Sequence, residues 1–441
     1  MLWNDTEYCG WGRAVRAEGA LARPERAANL TSLVKKTPGP AMGMFRSYGD
    51  VALNDGGPGI VMTRLDRFLD FDPESGMLEA EAGVTIGEIL RVFAPRGWIP
   101  GVIPGTGFAT LGGCVANDVH GKNHHCDGSF AQTVESLVLI GPDGRSRRVS
   151  AKREATLFRA TLGGMGLTGV IASARIRMQR ISGQAMEVRE RRMSALEDFL
   201  DALDTSESRF TVGWIDATAR AAELGRGIFE EGAVSQRVQK APRAARAKSV
   251  PFDAPGFLLS APVVRAFNAL YYRRVPEAGR TRTRSFSGFF HPLDSVLHWN
   301  RLYGRRGFHQ FQCVLPLDGA EDVLRRMLEQ ISESRLASPL AVLKKMGPGR
   351  GGPMSFPMEG FTLAVDFPAR KPAVGLIKRL EDMTLHAGGR IYLAKDALAS
   401  AASIERMYPD LAAFRTVIRE ADPDGVFETD MARRLNLRVA P

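Results

Sequence analysis

Cysteine is scarce in this chain, with four residues in 441, which excludes a disulfide-stapled scaffold. At this length no staples are needed, because two or three domains can bury full hydrophobic cores. No apolar run reaches the roughly 18 residues that span a bilayer. Residues 1–13 carry Asp5 and Glu7 where a leader would have a basic stretch followed by an apolar one. The expectation is a cytoplasmic protein, at most peripheral to the inner membrane. There is no repeat at solenoid or propeller periods, no paired-carboxylate signature and no G-x-S-x-G. A P-loop is absent too: around His120-Gly-Lys122-Asn123, Ala116 replaces the first glycine and Asn123 the Ser or Thr. A composition of 44% hydrophobic and 24% charged residues excludes a disordered or fibrous chain.

Acidic residues are in deficit, 49 against 59 Lys and Arg, for a formal charge of +10. The excess is local. Residues 235–285 hold eleven basic side chains, Arg243, Arg274, Arg280, Arg282 and Arg284 among them, against Asp253 and Glu277 alone. Phe252, Phe257, Leu258, Val263, Phe267 and Leu270 interleave with them. Basic clusters around apolar residues suit an anionic membrane surface or lipid, and confinement to one segment argues against nucleic acid. The expectation is a mobile, membrane-facing lid.

Short strand-like runs alternate with amphipathic helical stretches and glycine-rich turns, which reads as α+β. Strands are expected at 59–63, 77–83, 135–141, 170–178, 209–217, 308–317, 361–369 and 390–395, and helices at 85–97, 320–334 and 373–388. Gly164-Met-Gly166-Leu-Thr-Gly169 fits G-x-G-x-x-G, but a helical stretch precedes it and an alternating strand follows. That is the reverse of a Rossmann turn. Cys114, His120, His124, His125 and Cys126 lie close together without zinc spacing, so no metal is expected. His291, Asp294 and His298 read as a solvated helix face. Residues 41–50 and 104–113 have the composition of anion-binding backbone nests, and two such loops in one domain suit a pyrophosphate-bearing cofactor.

Gly-Trp-Gly-Arg (10–13), Arg-Ser-Tyr-Gly-Asp (46–50), Pro-Gly-Thr (104–106), His-Gly-Lys-Asn-His-His (120–125) and Gly-Gly-Met-Gly-Leu-Thr-Gly (163–169) resemble the vanillyl-alcohol-oxidase, or PCMH-type, flavoproteins. The likeness continues through Gln-Phe-Gln (310–312), Val-Asp-Phe-Pro (365–368), Ala-Lys-Asp (394–396) and Asp-Met-Ala-Arg-Arg-Leu (430–435). It implies a two-subdomain FAD-binding domain, residues 1–178, completed by the tail 390–441. Between them, residues 179–389 would form a substrate domain on an antiparallel sheet flanked by helices. The branch it most resembles oxidises the ribose 2-hydroxyl of a polyprenyl-phosphoryl sugar, after which a separate NAD(P)H-dependent keto-sugar reductase completes a 2-epimerisation. The alternative is a soluble aldose, alditol or lactone oxidase of the same family.

On this resemblance FAD would rest on Gly43, Arg46, Ser47, Tyr48, Gly49 and Asp50, and on Gly105, Thr106, Thr110, Leu111, Gly112 and Gly113. Asn117, Asp118, Val119, His120, Gly166, Gly169, Ile171, Tyr392 and Lys395 would line the rest. Lys395, His120 and Tyr48 are the implied catalytic groups; Lys122, Gln310, Gln312, Lys344, Thr362 and Ala364 would face the substrate. The chain departs from the family at Met42 (arginine elsewhere), Phe45 (glycine), Phe290 (tyrosine), Thr362 (asparagine) and Ala364 (a pocket cysteine). Arg46 holds the place where some members carry a flavin-linking histidine, so non-covalent FAD is expected.

Overall fold

The computed structural model describes residues 4–238, 240, 242 and 246–438; Arg243 lies outside them. Two sheets are built from the first 180 residues. Asn4–Cys9, Arg16–Ala22, Gly59–Val61 and Ala41–Met42 form a four-stranded sheet. Phe68–Asp72, Met77–Glu81, Val170–Arg180, Val134–Ile140 and Ser146–Ser150 run in spatial order through a second, antiparallel one, with Trp98–Pro100 paired to the far end of Val170–Arg180. The glycines 164–169 join the helix Ala155–Thr161 to the strand Val170–Arg180, the order read from the sequence.

The large sheet has eight antiparallel strands in the order Arg280–Arg284, Met186–Met193, Gly227–Val234, Phe210–Ile215, Ala341–Met346, Gly360–Pro368, Phe308–Leu315 and Arg390–Ile391. Side chains alternate faces along a strand, and here the alternation divides core from cavity. Phe311, Cys313, Leu315, Ala341, Leu343, Phe361, Leu363 and Val365 are buried in one core cluster. Their cover is the helices Leu196–Thr205, Ala320–Ser334 and Lys371–His386, whose apolar residues Phe199, Leu324, Met327, Leu376 and Leu380 join the same cluster. The even-numbered residues of the central strands face the other way.

After the sheet the chain returns to the first domain. Leu411–Ala421 packs on Ala155–Thr161. Arg434, in the helix Asp430–Arg434, makes two hydrogen bonds to Asp50, at 2.7 and 2.8 Å, and one to Asp396 at 2.9 Å.

Three sequence expectations are corrected. The 390–395 strand stops at Ile391, because the Lys395 amide turns back to the Tyr392 carbonyl. His291, Asp294 and His298 share no helix: Phe286–Phe290 ends before them, Pro292 opens a 3-10 turn, and His298 is left-handed at φ 57°. His291 is buried, not solvated. The cationic segment does not run unbroken to 285 as an insertion, because Arg280–Arg284 is the edge strand of the large sheet. Arg274, Arg280, Arg282 and Arg284 all pair with Glu190, whose side chain is fully buried. Much of the charge excess is therefore neutralised by carboxylates outside the segment.

Candidate active site

One cavity of about 820 Å³ lies between the first domain and the even-numbered face of the large sheet. Its sheet side is set by register. Gln312 pairs with Ala364, Lys344 with Thr362, and Val342 with Ala364, so Gln310, Gln312, Val342, Lys344, Thr362 and Ala364 share one face and all line the cavity. The Gln312 amide donates to Thr362 Oγ1 at 3.2 Å and lies 3.2 Å from His120 Nε2.

The opposite wall comes from loops. Gly43, Arg46, Ser47 and Tyr48 line it from the loop after Ala41–Met42. Gly105, Thr106, Thr110, Gly112 and Gly113 come from the approach to the helix Leu111–Ala116, and Asn117, Val119, His120 and Lys122 follow it. Gly166, Gly169, Ile171, Tyr392 and Lys395 complete it. Thr110 caps that helix by accepting from the Gly113 amide. A Cβ on Gly43 would meet Thr110 Oγ1 at 2.5 Å, whereas one on Gly105 or Gly166 would meet nothing within 4 Å. Gly166 also has φ 82°, which an L side chain resists. Phe45, on the loop after Ala41–Met42, takes φ 50°, a left-handed conformation that glycine adopts more readily, and its ring packs on Tyr8.

Four residues matched to the cofactor lie behind this wall. Asp50 is buried in its ion pair with Arg434. Gly49 abuts the Asp396 carbonyl, where a Cβ would come within 1.6 Å. Asp118 is fully buried and accepts from Ser129 Oγ and the Ala131 amide. Leu111 is a core residue whose amide donates to the Val84 carbonyl. The Gly112 amide, although on the wall, already donates to the Ala82 carbonyl. These residues brace the loops.

The middle of the cavity concentrates unsatisfied chemistry. Arg46 Nε, Asn117 Oδ1 and His120 Nδ1 are buried without a partner among the described residues. The Arg46 guanidinium is sandwiched between Trp11 and Phe108, 4.0 and 4.4 Å from their ring centroids. The Lys395 ammonium lies 3.6 Å from the Tyr48 ring centroid. Burial pulls Lys395 down to about 7 and Lys344 down to about 8. It drives His120 well below the ordinary imidazole value, helped by the Lys344 charge, so His120 is neutral. Burial likewise raises the Tyr48 phenol well above its usual value. His124 and His125 are turned to other partners: His124 Nδ1 accepts from the Gly347 amide, and His125 Nε2 lies 3.0 Å from the Ser208 carbonyl.

Several residues here were not read as site residues. Asp366 is fully buried on the cavity face of its strand, next to Gln310 in register. Its carboxyl accepts from Gln310 at 2.5 Å and from the Tyr303 hydroxyl at 3.2 Å. Burial pushes it up to about 7, against the pull of the Gln310 hydrogen bond and of Lys395. Its signal was the two-residue spacing 362, 364, 366. Asp294 accepts from Thr106 Oγ1 and the Gly107 amide, tying the glycine loop to the substrate half. Trp214, Glu230, Tyr271, Arg274 and Arg284 also line the cavity; of these the sequence had marked only the two arginines, as part of the cationic segment.

The charged lining comprises six cations, Arg46, Lys122, Arg274, Arg284, Lys344 and Lys395, against Glu230 and Asp294. Such a cavity takes a polyanionic ligand. Residues 34–150 match the family described as FAD binding domain, and residues 367–435 that of D-arabinono-1,4-lactone oxidase. The chain is 34% identical to the decaprenylphosphoryl-beta-D-ribose oxidase of Mycolicibacterium smegmatis, over 97% of each chain. It is 26% identical to the alditol oxidase of a Streptomyces species, over 94% of each. With the L-gulono-1,4-lactone dehydrogenase of Mycobacterium tuberculosis the identity is 22%, over 97% of this chain and 98% of the relative. On this cationic cavity, the FAD-binding family match and the full-length similarity to a decaprenylphosphoryl-beta-D-ribose oxidase, the chain belongs to the vanillyl-alcohol-oxidase, or PCMH-type, family and is an FAD-binding oxidoreductase.

Proposed function

We propose that the protein oxidises the ribose 2-hydroxyl of a polyprenyl-phosphoryl-β-D-ribose to the 2-keto sugar. The observation that carries this reading is the continuity of one cationic cavity from the glycine loops to Lys344, Lys122, Arg274 and Arg284. A free sugar requires no such charge, whereas a phosphodiester beside a dinucleotide does. FAD, when bound, supplies the two-electron acceptor for the hydride that leaves the sugar carbon. The residues with orphaned polar atoms, Arg46, Asn117 and His120, are suited to hold it, with Gly105 and Gly166 giving it room. No cysteine lines the cavity, and Arg46 occupies the linking position, so the binding is non-covalent; release of the flavin by acid precipitation tests this.

The hydroxyl proton must leave as the carbon is oxidised. We assign that proton to His120, which is neutral but held weakly basic by burial and the Lys344 charge, so that a bound anion offsetting Lys344 is needed for it to act. Lys395 supplies a cation in a dry site, where it stabilises negative charge developing beside it. Tyr48 presents its ring to Lys395, and Gln310 is held by the Asp366 carboxyl. Gln310, Gln312 and Lys344 lie on the face that would hold the sugar, with Thr362 and Ala364 shaping the wall. A 2-keto product calls for a separate NAD(P)H-dependent reductase to give the arabino sugar.

The same reading has the protein working at a membrane surface from the cytoplasmic side. No helix among the described residues is long and apolar enough to cross a membrane. Phe252, Phe257, Leu258, Val263, Phe267 and Leu270 are exposed on consecutive elements, with Arg246, Lys248, Arg265 and Arg273 nearby in the chain. The test is anaerobic bleaching of the oxidised flavin spectrum. Farnesyl-phosphoryl-ribose is expected to bleach it and free ribose is not; bleaching by an alditol or an aldonolactone instead would favour the alternative oxidase reading.

A further inference from the structure

We infer that the lipid-phosphate group of the substrate is seated on Arg274 and Arg284, where the edge of the large sheet meets the cavity, with Lys122 beside them. This deepens the proposed function and rests on it.

The site is built on the edge of the large sheet. Arg284 ends the edge strand Arg280–Arg284, and Arg274 caps the C-terminus of the helix Ala261–Arg273, where a helix dipole favours a cation. Both line the cavity. Their counter-ions are shared and insufficient. Glu190 and Glu230 together face Arg274, Arg280, Arg282, Arg284 and Lys122, five cations on two carboxylates. The two pairs of Arg274 are long, 3.4 and 3.5 Å, and its Nε is buried without a partner. Arg284 makes one close bond, to Glu190 at 2.6 Å, and reaches Glu230 only at 3.4 Å. Lys122 spends one bond on the Phe289 carbonyl and lies 3.9 Å from Glu230. A monoanionic phosphodiester would supply the missing acceptors to an arginine pair, for which guanidinium geometry is suited.

What adjoins these cations is apolar. Tyr271, on the helix that Arg274 caps, packs against Trp214 at 4.7 Å and under the Arg274 guanidinium at 4.2 Å. The same helix exposes Phe267 and Leu270 outward. An isoprenoid tail leaving a phosphate held at Arg274 therefore runs onto apolar surface, while the sugar extends inward along the sheet face toward Lys344.

The experiment uses flavin-loaded protein and farnesyl phosphate, which has the phosphate and the lipid but no sugar to oxidise. Its binding is followed by displacement of flavin fluorescence or by calorimetry. Wild type is expected to bind it at least tenfold more tightly than farnesol, Arg274→Gln to lose at least tenfold, and Arg274→Lys to lose less than Arg274→Gln. Arg282→Gln, which removes a half-exposed cation that pairs with the same Glu190 but does not line the cavity, is expected to bind as wild type. Glu230→Gln frees both arginines and is expected to bind several-fold more tightly, a gain that damage to the fold does not produce. Equal binding of farnesyl phosphate and farnesol by wild type overturns the inference. So does unchanged binding in both Arg274→Gln and Glu230→Gln, or equal loss in Arg274→Gln and Arg282→Gln. If farnesyl phosphate binds as expected while farnesyl-phosphoryl-ribose leaves the flavin oxidised, the phosphate site stands and the proposed reaction falls.

Discussion

The Lys395 ammonium lies 3.6 Å from the centroid of the Tyr48 ring, and so a cation from the C-terminal turn is held against a loop of the first domain. The Tyr48 ring is itself fixed edge-on to Phe308 at 5.3 Å. The Lys395 ammonium makes no hydrogen bond among the described residues, and burial pulls it down to about 7, so a negative charge beside it would hold it in the protonated form. Lys395→Ala is expected to slow anaerobic flavin reduction by about 10²–10³-fold, the usual effect of removing one preorganised stabilising group, with flavin content unchanged. A loss below threefold in stopped-flow traces would remove Lys395 from the chemistry.

Gly166 combines φ 82° with open space above its α-carbon. Gly166→Leu should destabilise the fold only modestly, by about 1–2 kcal/mol for the left-handed backbone, yet fill the cavity wall. The purified variant is expected to retain under a tenth of the wild-type flavin by the 450 to 280 nm absorbance ratio. Normal flavin content would place the cofactor elsewhere.

Glu190 is the hub for Arg274, Arg280, Arg282 and Arg284 and is fully buried. Its carboxyl is held below the usual carboxylate range: burial pushes it up, but hydrogen bonding to Arg280 and the neighbouring arginine charges outweigh that. Removing one partner of a buried ionic cluster strands the others. Glu190→Ala should cost about 3–5 kcal/mol in urea unfolding; a change under 1 kcal/mol would mean that the arginines find water instead.

Asp366 is raised to about 7 from an ordinary value of 3.8. Between those pH values the folded protein holds a proton that the unfolded chain has released. Its contribution is therefore complete below about 4 and is lost as pH rises through about 7. Relative to Asp366→Asn, wild type should lose on the order of 2 kcal/mol between pH 5 and pH 8. Melting temperatures of both proteins across that range test it; a constant difference would show that Asp366 is ionised throughout.

Leu270 and Phe267 are 71% and 48% exposed on the helix Ala261–Arg273. The double substitution Phe267→Glu, Leu270→Glu should reduce co-sedimentation with phosphatidylglycerol vesicles at least fivefold. Turnover of a short, soluble substrate analogue is expected to stay near wild type. Undiminished vesicle binding would sever this face from the membrane.

The sequence was most informative where one-dimensional order becomes geometry directly. The family resemblance implied that 310, 312, 344, 362 and 364 face the substrate, and strand register brings all five to one cavity. Asp366 escaped notice because its meaning depends on register with Gln310, a strand more than fifty residues away. Glu190 and Glu230 were invisible for the same reason: the charge count of 235–285 is right as arithmetic, but its partners lie on strands outside the segment. Asp50, by contrast, looked like a loop ligand and is a brace, since the side chain that claims it is Arg434.

That brace sets an order of events in the life of the molecule. Asp50 and Arg434 are separated by 384 residues, so at roughly 5–20 residues per second of synthesis the loop waits about 20–80 s for its clamp. The Ala41–Asp50 loop lacks this clamp until the chain has been made as far as Arg434. A truncation that removes only the last dozen residues would therefore yield colourless protein with every glycine loop intact.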